Sequence, residues 1–94
     1  MNQLDSAAIP ALAPHYRLQW EPAQNAHVLL YPEGMIRLSP SAAEIMRRID
    51  GSASVEQIVV ALEAVYAGAD LRADVVEFLT VAAARGWLRM RQRA

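Results

Sequence analysis

Residues 30–45 read LYPEGMIRLSPSAAEI, and this stretch decides the fold. Tyr31-Pro32-Glu33-Gly34 has the chemistry of a tight turn: proline presets φ at the second position, and glycine tolerates the exit geometry. Residues 35–38 then alternate, Ile36 and Leu38 on one face and Met35 and Arg37 on the other, which is the period of a strand. Ser39-Pro40 stops that strand and opens a helix. Serine stands at the N-cap, and proline takes the first helical position, where its missing N–H costs nothing.

Upstream, residues 15–21 also alternate, with Tyr16, Leu18 and Trp20 opposed by Arg17, Gln19 and Glu21. EPAQNA at 21–26 reads as a loop and residues 28–31 as a second strand, so the short links predict an antiparallel three-stranded meander. Residues 1–14 hold two prolines and few apolar anchors, the composition of a flexible or loosely docked arm. Residues 15–88 form the single expected domain, and residues 89–94 a basic, frayed tail.

Downstream, three amphipathic helices are each punctuated at both ends. The first carries Ala42, Ile45, Met46 and Ile49 on one stripe and stops at Gly51. The second opens on Ser54-Val55-Glu56-Gln57, a capping-box pattern, with Val55, Ile58, Val59, Leu62 and Tyr66 inward and Gly68 at its end. The third opens at Asp70, turns Leu71, Val75, Phe78, Leu79 and Ala82 inward, and ends at Gly86, after which Trp87 and Leu88 fold back. The expected architecture is α+β and winged-helix-like: a small three-stranded antiparallel sheet followed by three helices on one face.

With 94 residues and 54% hydrophobic composition, the chain has enough apolar material for one small core. It has no cysteine, so neither a disulfide framework nor a thiolate site is expected. No apolar run is long enough to cross a bilayer, and the N-terminus lacks the pattern of a secretory signal; a cytoplasmic location is expected. Residues 40–84 carry three arginines against seven acids, whereas residues 85–94 carry four arginines and no acid. The body is acidic and the tail basic.

Chemistry-bearing constellations are sparse. His15 and His27 read as surface residues at strand starts, and a zinc site would need further ligands from distant segments. Each glycine falls at a turn or helix end rather than in a phosphate loop, and Ser39 and Ser54 are caps rather than nucleophiles. Met46 and Tyr66 read as core filler, Trp20 and Trp87 as buried ring bodies, and Arg47-Arg48 as a solvated helix face. No acid, base and nucleophile converge, so no enzyme, no metal and no cofactor is expected.

What remains is the edge. In a meander the third strand keeps one bare row of N–H and C=O groups, here interrupted by one charge, Arg37, with Pro32 and Pro40 just outside its ends. Either a helix or the arm covers that row, or it accepts an extended guest peptide. Spacing alone leaves both open.

LLYPEG at 29–34, Leu38, Ala42-Ala43-Glu44-Ile45, Asp50-Gly51, Val55, Ile58, Asp74-Val75, Glu77-Phe78-Leu79 and Gly86-Trp87-Leu88 together resemble the pyrroloquinoline quinone biosynthesis protein D (PqqD) family. The match runs from about Tyr16 to Leu88. YPEG, the Asp-Gly after the first helix and the closing Gly-Trp are its specific parts. Ser39 and Ser54 stand where the family commonly has asparagine and threonine, and both substitutes can cap a helix.

The resemblance implies a non-catalytic peptide chaperone in pyrroloquinoline quinone biosynthesis. It would bind a ribosomally made precursor peptide and present it to a radical S-adenosylmethionine enzyme, which cross-links a glutamate and a tyrosine of that peptide. It further implies that the guest adds as a strand beside residues 35–38 and packs against the third helix. The implied peptide-binding residues are Met35, Ile36, Arg37, Leu38, Leu71, Val75 and Leu79. Iron–sulfur clusters and S-adenosylmethionine would belong to the enzyme partner. Two rival readings use the same fold. A winged-helix DNA binder needs a cationic recognition helix, yet the third helix region has Asp70, Asp74 and Glu77 against Arg72 and Arg85, so no nucleic-acid partner is expected. A dimerisation module would pair the open edges with each other, and homodimer formation stays open.

Overall fold

The computed structural model describes residues 4–92, in the order β1 (Ile9–Leu12), β2 (Arg17–Glu21), β3 (Ala26–Tyr31), β4 (Gly34–Arg37), α1 (Pro40–Met46), α2 (Val55–Val65), α3 (Arg72–Ala84) and β5 (Leu88–Arg91). The expected meander is present: β2, β3 and β4 form one antiparallel sheet in that order, with three helices following. Leu18, Leu29 and Ile36 stand opposite one another across it and turn to the helices, whereas Gln19, Val28 and Arg37 share the other face. Leu29, Ile58, Leu79, Val55, Val59 and Val75 are fully buried at the centre. Burial of aliphatic side chains of this kind contributes about 1.5–3 kcal/mol each.

The caps act locally as their chemistry dictates. The Ser39 hydroxyl accepts from the Ala42 N–H at 3.2 Å, and Ser54 and Gln57 form the reciprocal capping box at 3.1 and 2.8 Å. Gly86, at φ 84°, closes α3 with a Schellman pattern, in which the Trp87 N–H reaches Ala82 and the Gly86 N–H reaches Ala83. Two helix boundaries differ from expectation. α1 ends at Met46, and turns rather than helix carry the chain to Gly51. α3 starts at Arg72, with Leu71 rather than Asp70 at its N-cap and no side-chain cap of its own.

Three further expectations are corrected. The arm over 1–14 is not loose in its described part: Ala8, Ile9 and Pro10 are buried, and Ile9–Leu12 pairs antiparallel with Leu88–Arg91. The domain therefore begins upstream of residue 15. The same pairing makes the basic tail a strand through Arg91; Arg93 lies outside the described residues. Pro10 is tolerated because of register. The Ala13 N–H donates to the Trp87 carbonyl, so hydrogen-bonded pairs recur at Ala11 and Ile9, and the ring nitrogen of Pro10 faces away from β5. The arm is also fastened to α2, whose first N–H groups, Val55 and Glu56, donate to the Ala8 and Ser6 carbonyls at 2.9 Å. Last, Trp20 is not a buried body. It is 49% exposed and meets His27 edge-on.

Candidate peptide-binding groove

β4 pairs with β3 on one side only, and among the described residues no strand pairs with its other side. Which groups it leaves free follows from register. The Leu38 N–H donates to the His27 carbonyl at 3.0 Å, and antiparallel bonds recur at every second residue. Gly34, Ile36 and Leu38 therefore face β3, whereas the N–H and C=O groups of Met35 and Arg37 point outward. Ser39 continues this row: its backbone is extended (φ −66°, ψ 161°), which turns its N–H to the same side.

Ser39 is also where a groove begins. It measures about 570 Å³ and is walled by the first turns of α1 and α3, with Leu62 and Val75 at its base. Ala42, Ile45, Leu71 and Phe78 supply carbon surface, and Tyr66 and Asp74 lie at its rim, Tyr66 being 47% exposed rather than core filler. The groove can thus seat an apolar side chain with a polar or cationic neighbour at its mouth. A second depression of about 590 Å³ opens on the other side of the α1 N-terminus, between Trp20, His27, Arg37 and Glu44, and is the more polar of the two.

The seven implied peptide-binding residues separate accordingly. Met35 and Arg37 are exposed on the open row, Ile36 is half-buried with its backbone groups turned to β3, and Leu71 lines the groove. Leu38, at 5% exposure, and Leu79, at 0%, belong to the core and do not line this groove; Val75, at 1%, forms part of its floor. A helix stripe that packs on its own sheet, as Leu79 does, leaves only its margin to line the groove. The missed groove residues include Ala42, Ile45, Leu62, Tyr66, Asp74 and Phe78. Ala42, Ile45 and Phe78 at the margins of two stripes were the available signal.

Electrostatics hold the groove walls rather than fill the groove. On α1, Glu44 accepts from Arg48 at 3.0 Å and Arg47 at 3.1 Å, and the Arg48 hydrogen bond first, then Arg47, holds its carboxyl below the ordinary value. On α3, the Arg72 guanidinium forks onto Glu56 of α2, with Nη2–Oε2 at 3.0 Å, and this hydrogen bond lowers Glu56. The Ser39 hydroxyl is engaged by the Ala42 N–H and by Ser41. Among the described residues no three His, Cys, Asp or Glu side chains are placed to hold a metal ion, and no helix is long and apolar enough to cross a membrane.

Comparison with known proteins agrees with this architecture. Residues 26–88 match the family model described as coenzyme PQQ synthesis protein D. A protein of Azotobacter vinelandii named PqqA binding protein is 51% identical over 91 residues, covering 96% of this chain and 99% of its own. A protein of the same name from Stutzerimonas stutzeri is 46% identical over 92 residues, covering 97% and 100%. Among solved structures, the solution NMR structure for the PqqD truncation of Methylobacterium extorquens PqqCD superposes with a TM-score of 0.75 at 30% identity, covering 92% of this chain and 94% of that one. That protein represents a functional, stand-alone recognition element for ribosomally synthesized and post-translationally modified peptides. With a family match over more than half its length and relatives near half-identical along nearly all of it, this chain belongs to the coenzyme PQQ synthesis protein D family.

Proposed function

We propose that this protein is a non-catalytic carrier that binds a PqqA-type precursor peptide as an added strand on β4 and presents it to a radical S-adenosylmethionine enzyme in pyrroloquinoline quinone biosynthesis. The carrying observation is the meeting of two features at Ser39: an unpaired backbone row at Met35 and Arg37, and an apolar groove that opens where the row ends. Backbone groups accept any extended chain, so the row supplies affinity without sequence, and the groove supplies the choice of side chain. The row offers few hydrogen bonds, each a net ~0.5–1.5 kcal/mol, against the cost of ordering a flexible peptide. Burying one or two apolar anchors in the groove supplies the remainder. The names of the relatives give the guest its identity as PqqA.

The DNA reading has less support than in the bare sequence. Arg72, one of the two cations of the α3 region, is committed to Glu56, while Asp74 and Glu77 are exposed. The test is titration with a synthetic PqqA peptide of Azotobacter vinelandii, read by calorimetry and by amide shifts. The expected Kd is about 1 μM or tighter, near −8 kcal/mol, with the largest shifts at Met35, Arg37, Ser39 and Leu71. No binding by demonstrably folded protein, or shifts centred on β5 or β2, would overturn the proposal.

A further inference from the structure

α3 forms one wall of the groove, yet it begins without a cap of its own: Leu71 stands at the N-cap, and its side chain can accept nothing. The missing acceptor comes from another helix. Glu63 of α2 reaches across the 66–71 connection and takes the Leu71 N–H on Oε2 at 2.9 Å. This is a capping interaction made at a distance of eight residues, and it seizes the backbone of a residue whose side chain lines the groove. One residue on, the Arg72 fork to Glu56 fastens the same turn to the same helix. The first turn of α3 is therefore placed by two carboxylates of α2, while the opposite wall is built by α1.

We propose that Glu63 is a positioning residue for the peptide groove, fixing the Leu71 wall by capping α3 from α2 and so setting which apolar anchor the groove accepts. The proposal rests on the peptide-binding reading above. The chemistry required is an acceptor at the right reach. A glutamine keeps the acceptor, an aspartate withdraws it by one methylene, and an alanine deletes it. Cap interactions of this kind are strong enough that losing one alters affinity about 3- to 10-fold when the capped turn contacts the ligand.

The experiment is a double-mutant cycle read as affinity for the synthetic Azotobacter vinelandii PqqA peptide, with Glu63→Ala, Leu71→Ala and the pair. Glu63→Ala is expected to weaken binding about 5-fold in the native background and less than about 2-fold when Leu71 is already alanine, because Glu63 acts through Leu71. Glu63→Gln is expected to stay within about 2-fold of the native protein. General loosening of the fold would make the two losses multiply, and that result overturns the proposal, as does a Glu63→Gln variant as weak as Glu63→Ala. If Glu63→Ala does not fold, Glu63→Asp replaces it in the cycle with the same expectation. Native protein that binds no peptide sinks the peptide reading and this one with it; native binding with multiplying losses sinks only the role of Glu63.

Discussion

Proline placed along β4 separates the free side of the strand from its paired side. The Arg37 N–H points outward, so Arg37→Pro removes no bond to β3, and the restriction it imposes on Ile36 is one an extended residue already meets. The cost to folding should be below about 1 kcal/mol, a fall in Tm of no more than roughly 4–8 °C for a domain of this size. A bound guest loses more. Its carbonyl loses the donor and is left unpaired at the interface, a penalty of about 1–3 kcal/mol. The proline ring also fills the space where that carbonyl would sit. We take about 2–3 kcal/mol in all, which raises Kd roughly 30- to 150-fold. Met35→Pro should behave alike, and Arg37→Ala separates loss of the side chain from loss of the donor. Ile36→Pro is the opposite case: register gives its N–H to β3, and its side chain packs against the core, so it should cost stability first. The assay is calorimetry with the PqqA peptide beside thermal unfolding by circular dichroism. If Arg37→Pro and Met35→Pro remain folded and bind as the native protein does, strand addition at β4 is refuted. If Ile36→Pro is indistinguishable from them, the register assigned to β4 is wrong.

Removing the capping hydroxyl by Ser54→Ala should cost about 1 kcal/mol, because Ser54 is 3% exposed and holds the Gln57 N–H; thermal unfolding checks it. Stability should fall with acid. Glu44, Asp50 and Glu56 all have carboxyls held below their ordinary values of 4.5, 3.8 and 4.5: Glu44 and Glu56 first by arginine hydrogen bonds, Asp50 first by the Ala53 N–H. A depressed carboxyl contributes stability that is complete above its ordinary value and is lost as pH falls through the lowered one, so Tm should be flat from pH 7 to about 5 and decline below about 4. His15 sits at φ 73°, a region that disfavours side chains, so His15→Gly should leave Tm unchanged or raise it by a few degrees.

The parts of the fold that depend on neighbours in sequence were legible. Ser39-Pro40, the Ser54–Gln57 box and the Gly86-Trp87 ending each act within a few residues, and each forms as its chemistry requires. What was not legible depends on distance. The β1–β5 ribbon joins residues about eighty apart, Ile9 with Arg91 and Leu12 with Leu88, and no local pattern announces that pairing. Its one hint was LRMR, whose alternation puts Leu88 and Met90 inward against Arg89 and Arg91. Pro10 fits a strand only because the long-range register turns its nitrogen away from β5. The groove was legible only in part: Leu71 and Val75 line it and could be named from the third stripe, whereas Leu38 and Leu79 lie in the core outside its lining. Glu63 is invisible at this level, since an acid on a helix surface becomes a cap only once a second helix starts beside it.

Sheet edges in this molecule are not treated equally, and the inequality bears on which of them is meant to be used. β2 begins beside His15 with its left-handed backbone, ends at Glu21-Pro22 and carries Arg17 and Glu21 at its two limits. β5 carries Arg89 and Arg91 within four residues, Arg91 reaching the Gly51 carbonyl at 3.1 Å and Arg85 lying 5.6 Å from the centre of the Trp87 ring just before the strand. The outer side of β1 leads into the Ser6 and Ala8 carbonyls, already given to α2. Charge, turns and borrowed hydrogen bonds are the usual means of keeping an edge from pairing. β4 has one charge, an exposed Met35 and a run of extended backbone that continues through Ser39 into an apolar groove. Among the described residues, β4 is the edge that runs on into apolar groove surface, the combination that strand addition would use. Self-pairing of two β4 edges would exploit the same opening; a register that sets the two Arg37 side chains directly opposite would be destabilised by their like charges.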